Sequence, residues 1–131
     1  MPRSRKEVLS NQLQNLLHTS SGLDALVLVS MDGGEIASAL HGDINRWRLA
    51  AMTFAAFTLS QQIGDEFNRG DLQELYIRGK NGFIILIPIA RQAILFGLAQ
   101  VDSRPGLVLL ELRHIAEKIF SPDAGSRKSR I

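Results

Sequence analysis

The sequence predicts an α/β sandwich of the α+β kind, a five-stranded antiparallel sheet with helices on both faces, in the order α-β-β-α-β-β-β-α. Three observations lead there. Apolar residues recur at helical spacing near both ends and through a long middle stretch, five short runs are rich in aliphatic residues, and tight turn segments join neighbouring runs. Connections this short allow antiparallel pairing and exclude the long crossover that a parallel pair needs.

Ser4 followed by Glu7 has capping-box spacing, and Leu9, Leu13, Leu16 and Leu17 then repeat at helical intervals, so a first helix is expected over residues 4–18. Residues 25–30 and 35–40 are strands joined through Asp32-Gly33-Gly34, which tolerates positive φ. Asp43 is the expected N-cap of a second helix reaching about Asn68, with Gly70 as its stop. Three strands follow, at 72–78, 83–89 and 93–101, the first two joined through Gly79-Lys80-Asn81-Gly82. Phe83-Ile84-Ile85-Leu86-Ile87 is apolar on both faces and belongs inside the sheet, and Pro88, lacking an amide hydrogen, fits only near the end of its strand. Ser103, Arg104 and Pro105 open a last helix whose inward stripe is Val108, Leu112, Ile115 and Ile119.

The second helix carries two apolar faces. At about 100° per residue, Leu49, Met52, Ala56, Leu59, Ile63 and Phe67 form one stripe, expected to pack on the chain's own sheet. Trp47, Ala50, Ala51, Phe54, Phe57 and Thr58 form the other, roughly opposite and uncharged. One helix on one sheet leaves one of its faces in water, and a contiguous apolar patch of that kind marks a binding surface. The small residues Ala50, Ala51 and Thr58 suit close approach by another helix, so a homodimer through this face is expected, against the alternative that another helix of the same chain covers it.

Composition bounds the rest. A length of 131 residues, 45% of them hydrophobic, suits one domain, expected over residues 1–121, with a disordered basic tail at 122–131. There is no cysteine, which excludes disulfides and thiolate chemistry and fits a cytoplasmic setting. No apolar run reaches the roughly 18 residues of a membrane span. The net charge of +2 is uneven: Arg3, Arg5, Lys6, Arg127, Lys128 and Arg130 are six of the fifteen basic residues, so residues 7–125 hold nine basic against thirteen acidic side chains, a net of −4. Solvated basic ends are common, and no nucleic-acid partner is expected.

Catalytic and metal motifs are missing from the sequence. His18, His41 and His114 have no metal-ligand spacing, the P-loop pattern is absent, and Gly33-Gly34 lacks the remainder of a dinucleotide fingerprint. The carboxylate pairs Asp65/Glu66 and Asp71/Glu74 border a helix end and a strand start, where charges ordinarily face water. No enzyme activity and no cofactor are expected.

With the element order and the segment Leu26-Val27-Leu28-Val29-Ser30-Met31-Asp32-Gly33 followed by Ile36-Ala37 in view, the chain resembles the roadblock family of dynein-light-chain-like proteins, over roughly residues 5–120. The resemblance implies a roadblock/profilin-like fold and a homodimer in which second helices pack side by side and third strands pair. On this sequence those elements carry Trp47, Ala50, Ala51, Phe54, Phe57 and Thr58 on the helix and Leu72, Leu75 and Ile77 on the strand. It also implies a non-catalytic module that regulates or scaffolds a Ras-like small GTPase, as prokaryotic members do, docked on the outer surface of the paired helices. Arg46, Arg48, Gln61 and Gln62 are the candidate contacts. The alternative is a ligand-sensing module of similar architecture, which would need converging polar groups in a pocket.

Overall fold

The computed structural model describes residues 4–20 and 22–119, and the tail expected at 122–131 lies outside them. The elements are α1 (Arg5–Thr19), β1 (Leu23–Ser30), β2 (Glu35–Leu40), α2 (Arg46–Glu66), β3 (Leu75–Gly79), β4 (Gly82–Ile89), β5 (Ala93–Gln100) and α3 (Pro105–Ile119). All pairings are antiparallel, and the strands lie in the order β2-β1-β5-β4-β3. The fold class and element order are therefore those the sequence predicts.

Side chains alternate across the sheet and build two apolar layers. Leu26, Leu28, Ile85, Ile87 and Leu95 pack with Leu9, Leu13 and Leu17 of α1 and with Val108, Leu112, Ile115 and Ile119 of α3. Val27, Val29, Leu86, Ile94 and Phe96 pack with α2 on the other face. Central strands buried on both sides must be apolar at every position, which is why β4 reads as a continuous aliphatic run.

Local chemistry sets the boundaries. Ser4 caps α1 by accepting from the Glu7 amide at 3.2 Å. The cap of α2 is Asn45, not the expected Asp43: its Oδ1 accepts from the Arg48 amide at 3.1 Å. Asn offers the same side-chain acceptor as Asp, and this register leaves Ile44 and Leu49 at the two positions of a hydrophobic staple, both lining one groove. The helix stops earlier than Gly70. Asn68 takes the left-handed conformation (φ 58°), and the Asn68 and Arg69 amides donate to the carbonyls of Asp65 and Gly64, a Schellman closure with asparagine in the usual glycine position.

Strand β3 begins at Leu75 instead of residue 72. Leu75 pairs with Leu86, so continuing the register would set Gln73 opposite Pro88, which has no amide hydrogen to offer a ladder. In the β3–β4 hairpin the two-residue loop is Lys80-Asn81, and Gly82 opens β4 (φ 153°). A Cβ on Gly82 would sit 2.5 Å from the Ala99 carbonyl oxygen on β5, so close backbone approach fixes glycine there. The β4–β5 turn places Ala90 (φ 48°) and Arg91 (φ 58°) in the left-handed region, with Gln92 N–H donating to Ile89 O at 2.8 Å. No helix among the described residues is long and apolar enough to cross a membrane.

The β1–β2 turn is organised by Asp32. Its carboxylate accepts from the Ser30 hydroxyl and from the Gly34 amide at 3.2 Å, and these two bonds, the first the larger, hold its pKa below the ordinary carboxylate value. A depressed folded-state pKa adds stability above the unfolded value that is lost as pH falls through the folded one. Asp32→Asn is therefore expected to lower stability more at about pH 7 than at about pH 3, where the unfolded-state carboxyl is already largely protonated, read from denaturant midpoints. An equal deficit at both values would assign the turn's stability elsewhere. Gly82→Ala is expected to cost about 2 kcal/mol or more, measured by thermal or chemical unfolding. An unchanged midpoint would mean that β5 yields at Ala99.

Candidate functional site

Helix α2 approaches the sheet through its smallest residues. Ala50 and Thr53 are buried, the Thr53 hydroxyl being satisfied by Leu49 O at 2.8 Å, and Phe54 and Phe57 flank them as half-buried members of the same core. This corrects the expected orientation. Ala50, Phe54 and Phe57, assigned to a dimer face, pack on the protomer's own sheet. Met52 (61% exposed), Leu59, Ile63 and Phe67, assigned to the inward stripe, project into solvent. Short side chains let the helix axis settle close to the sheet with rings wedged on either side, whereas the bulkier stripe would hold it away.

The exposed stripe borders an open groove. Because α2 lies over the β1 side of the sheet, part of the β4–β3 face beyond it stays uncovered, forming a cavity of about 400 Å³. Its walls are Ile44, Leu49, Met52 and Ala56 from the helix side and Ile77, Ile84, Leu86 and Leu98 from the sheet, with Arg48 and Asn45 at the rim. Edge strand β3 bounds it, pairing among the described residues only with β4, so that its outer row of backbone groups has no strand partner among them. Leu75 is half-buried beneath α2, while Tyr76 and Ile77 are exposed. Helix stripe, groove and open edge thus form one continuous apolar surface.

The other candidates distribute around it. Trp47 is 71% exposed and carries the Arg46 guanidinium at 5.6 Å from its ring centre, and Arg46 also lies 3.8 Å from Glu35. Ala51, Arg48 and Gln62 are exposed, and Thr58 is half-buried. Gln61 is engaged inside the protomer: its amide nitrogen reaches Asp65 at 3.0 Å and Asp71 at 3.3 Å, and its oxygen accepts from the Leu72 amide at 2.9 Å. It ties the loop before β3 to the helix, and Leu72 is held there with it. Arg91 completes the network through Asp71 at 3.0 Å. The sequence did not mark Met52, Leu59, Ile63 and Phe67 as surface. The available signal was residue size, since the face with the smaller side chains approaches the sheet.

Among the described residues, no group of three or more His, Cys, Asp or Glu side chains is placed to hold a metal ion. His18 and His41 meet edge-on at 6.2 Å, with His18 Nδ1 2.8 Å from Gln14 O. The surface is suited to contact, through apolar area and free backbone groups.

The Roadblock/LC7 domain model matches residues 9–99. The uncharacterized protein MJ1340 of Methanocaldococcus jannaschii is 30% identical over 103 residues, covering 79% of this chain and 90% of that protein. Among solved structures, MglB of Myxococcus xanthus superposes with a TM-score of 0.82 at 16% identity, covering 96% of this chain and 94% of its own. A Roadblock/LC7 domain from Streptomyces avermitilis superposes at 0.78 and 15% identity, covering 84% and 92%. With its sequence matched across the whole sheet and its fold shared with these structures, the chain belongs to the Roadblock/LC7 family.

Proposed function

We propose that the protein is a homodimeric, non-catalytic interaction module that binds a Ras-like small GTPase, to regulate or scaffold it. The observation that carries this is the continuous apolar surface of Met52, Leu59 and Ile63 on α2, the groove beside them and the open edge of β3. A second copy meets all three requirements at once: its α2 covers the stripe, its side chains fill the groove, and its β3 supplies backbone partners. Such a twofold contact is self-complementary. Trp47 and Ala51 flank this face, and Leu75 and Ile77 enter it from the strand, so the expected interface shifts around the helix while keeping its elements. The GTPase assignment rests on kinship with MglB-like members, whose structural likeness to this chain is one of fold. Arg46 and Arg48, exposed beside Trp47, and Gln62, exposed about four turns further along α2, are the proposed contacts.

Light scattering on the eluted protein is expected to give twice 14.5 kDa. Met52→Asp and Ile63→Asp, each placing an unpaired charge in the interface, should raise the dimer dissociation constant at least about tenfold while the protomer still melts cooperatively. Phe54→Asp should instead prevent folding, since its ring belongs to the protomer core. A folded, unaltered dimer after both stripe substitutions would place the interface elsewhere. Pull-down with small GTPases of the source genome, loaded with GDP or a GTP analogue, is expected to retain one of them in a nucleotide-dependent manner. Retention of none in either state would remove the GTPase from the assignment.

A further inference from the structure

Beside the C-terminal half of α2 lies a second cavity, of about 670 Å³, within the range that holds small organic ligands. Its walls include none of Met52, Leu59, Ile63 or Ile77, so it is separate from the surface proposed for the second copy. Met31, Phe57, Leu72 and Pro88, all half-buried, give it an apolar floor. Phe57, Gln61 and Asp65 succeed one another at intervals of four, so one ridge of α2 presents a ring, an amide and a carboxylate to the same space. Asp65 lies just over two turns beyond Phe57, about 12 Å along the helix axis. The cavity thus passes from apolar to anionic along its length.

We propose that this cavity binds an organic cation, a primary ammonium carried on an apolar body. Pairing within the wall leaves one charge over. Asp71 is matched by Arg91 at 3.0 Å, and the Gln61 amide group is occupied by Asp65, Asp71 and the Leu72 amide. The ion pairs among the described residues give Asp65 no cation, and its partner is Gln61 Nε2 at 3.0 Å. An ammonium donating to Asp65 brings the wall to neutrality, whereas a carboxylate ligand meets two anionic groups against one guanidinium. An exposed ion pair alone adds little affinity in water. The floor supplies the rest, because a hydrocarbon body lying along Phe57, Met31 and Pro88 leaves water as the charge is matched. An inorganic cation is less well served: a hard ion takes several oxygen ligands, and no group of three or more candidate ligand side chains is placed for one among the described residues. The ammonium belongs either to a free amine or to a lysine side chain of another protein, which present the same chemistry to Asp65.

The test is calorimetric titration of the full-length protein with phenethylamine, phenylalanine and hydrocinnamate, which share one body and are cationic, zwitterionic and anionic. Phenethylamine is expected to bind saturably, phenylalanine more weakly, and hydrocinnamate at least about tenfold more weakly than the amine. Asp65→Asn keeps an oxygen for the Gln61 amide while removing the charge, and should weaken phenethylamine about tenfold or more. Glu66→Gln removes the same charge from the next residue, outside the cavity, and should leave the amine's affinity as in wild type. Both positions are exposed, and unchanged melting and elution volume would show that the variants fold. Titration with Nα-acetyl-lysine N-methylamide separates the two sources: tighter binding than phenethylamine assigns the site to a lysine side chain, weaker binding to a free amine. The proposal is overturned if neither cation binds saturably, if phenethylamine and hydrocinnamate bind equally, or if Asp65→Asn loses no more affinity than Glu66→Gln.

Discussion

The close seating of α2 on the sheet through Ala50 and Thr53 is the constraint on which the rest depends. Both faces of the three central strands are aliphatic, so both must be covered. Two helices suffice on one side, where α1 lies over β1 and β2 and α3 over β4 and β5. Among the described residues, the other side has α2 alone. A helix is about 10 Å across with its side chains, whereas five strands span about twice that, so a single helix leaves a strip of apolar sheet bare. Small inward residues bring the helix down onto β1 and β5, and the uncovered strip falls over β4 and β3. Position, shape and chemistry of the open apolar surface all follow from that seating.

Much of this was legible in the sequence because the decisive signals are local. Capping residues, turn glycines and aliphatic runs gave every element in order, and the doubly apolar run at Phe83–Ile87 announced an interior strand. Boundaries missed where two residues offer the same chemistry, as with Asn45 and Asp43 at the α2 cap, or where asparagine replaces glycine, as at Asn68. The start of β3 was missed because it depends on register: only pairing with β4 sets Gln73 against Pro88.

The candidate surface was half legible. Periodicity alone revealed two apolar faces on α2, which is sufficient to say that one of them is left off the sheet. It did not say which, because periodicity measures angles and not how near a helix lies to its sheet. Packing density decides that, and it favours the face whose side chains are small enough to let backbones approach. Gln61 shows the complementary difficulty. An exposed-looking amide on a helix is indistinguishable in sequence from one that turns inward to satisfy a loop amide at Leu72 and two carboxylates.

That amide has a mechanical meaning. Residues 71–74 lead directly into the open edge of the sheet, and one side chain of α2 holds their backbone. The helix and the border strand are thereby yoked, although they lie in different layers: a small rotation of the helix end draws on the Leu72 amide and alters the angle at which the border strand presents itself. Whatever grips the helix also addresses the rim of the sheet, through a linkage one glutamine long.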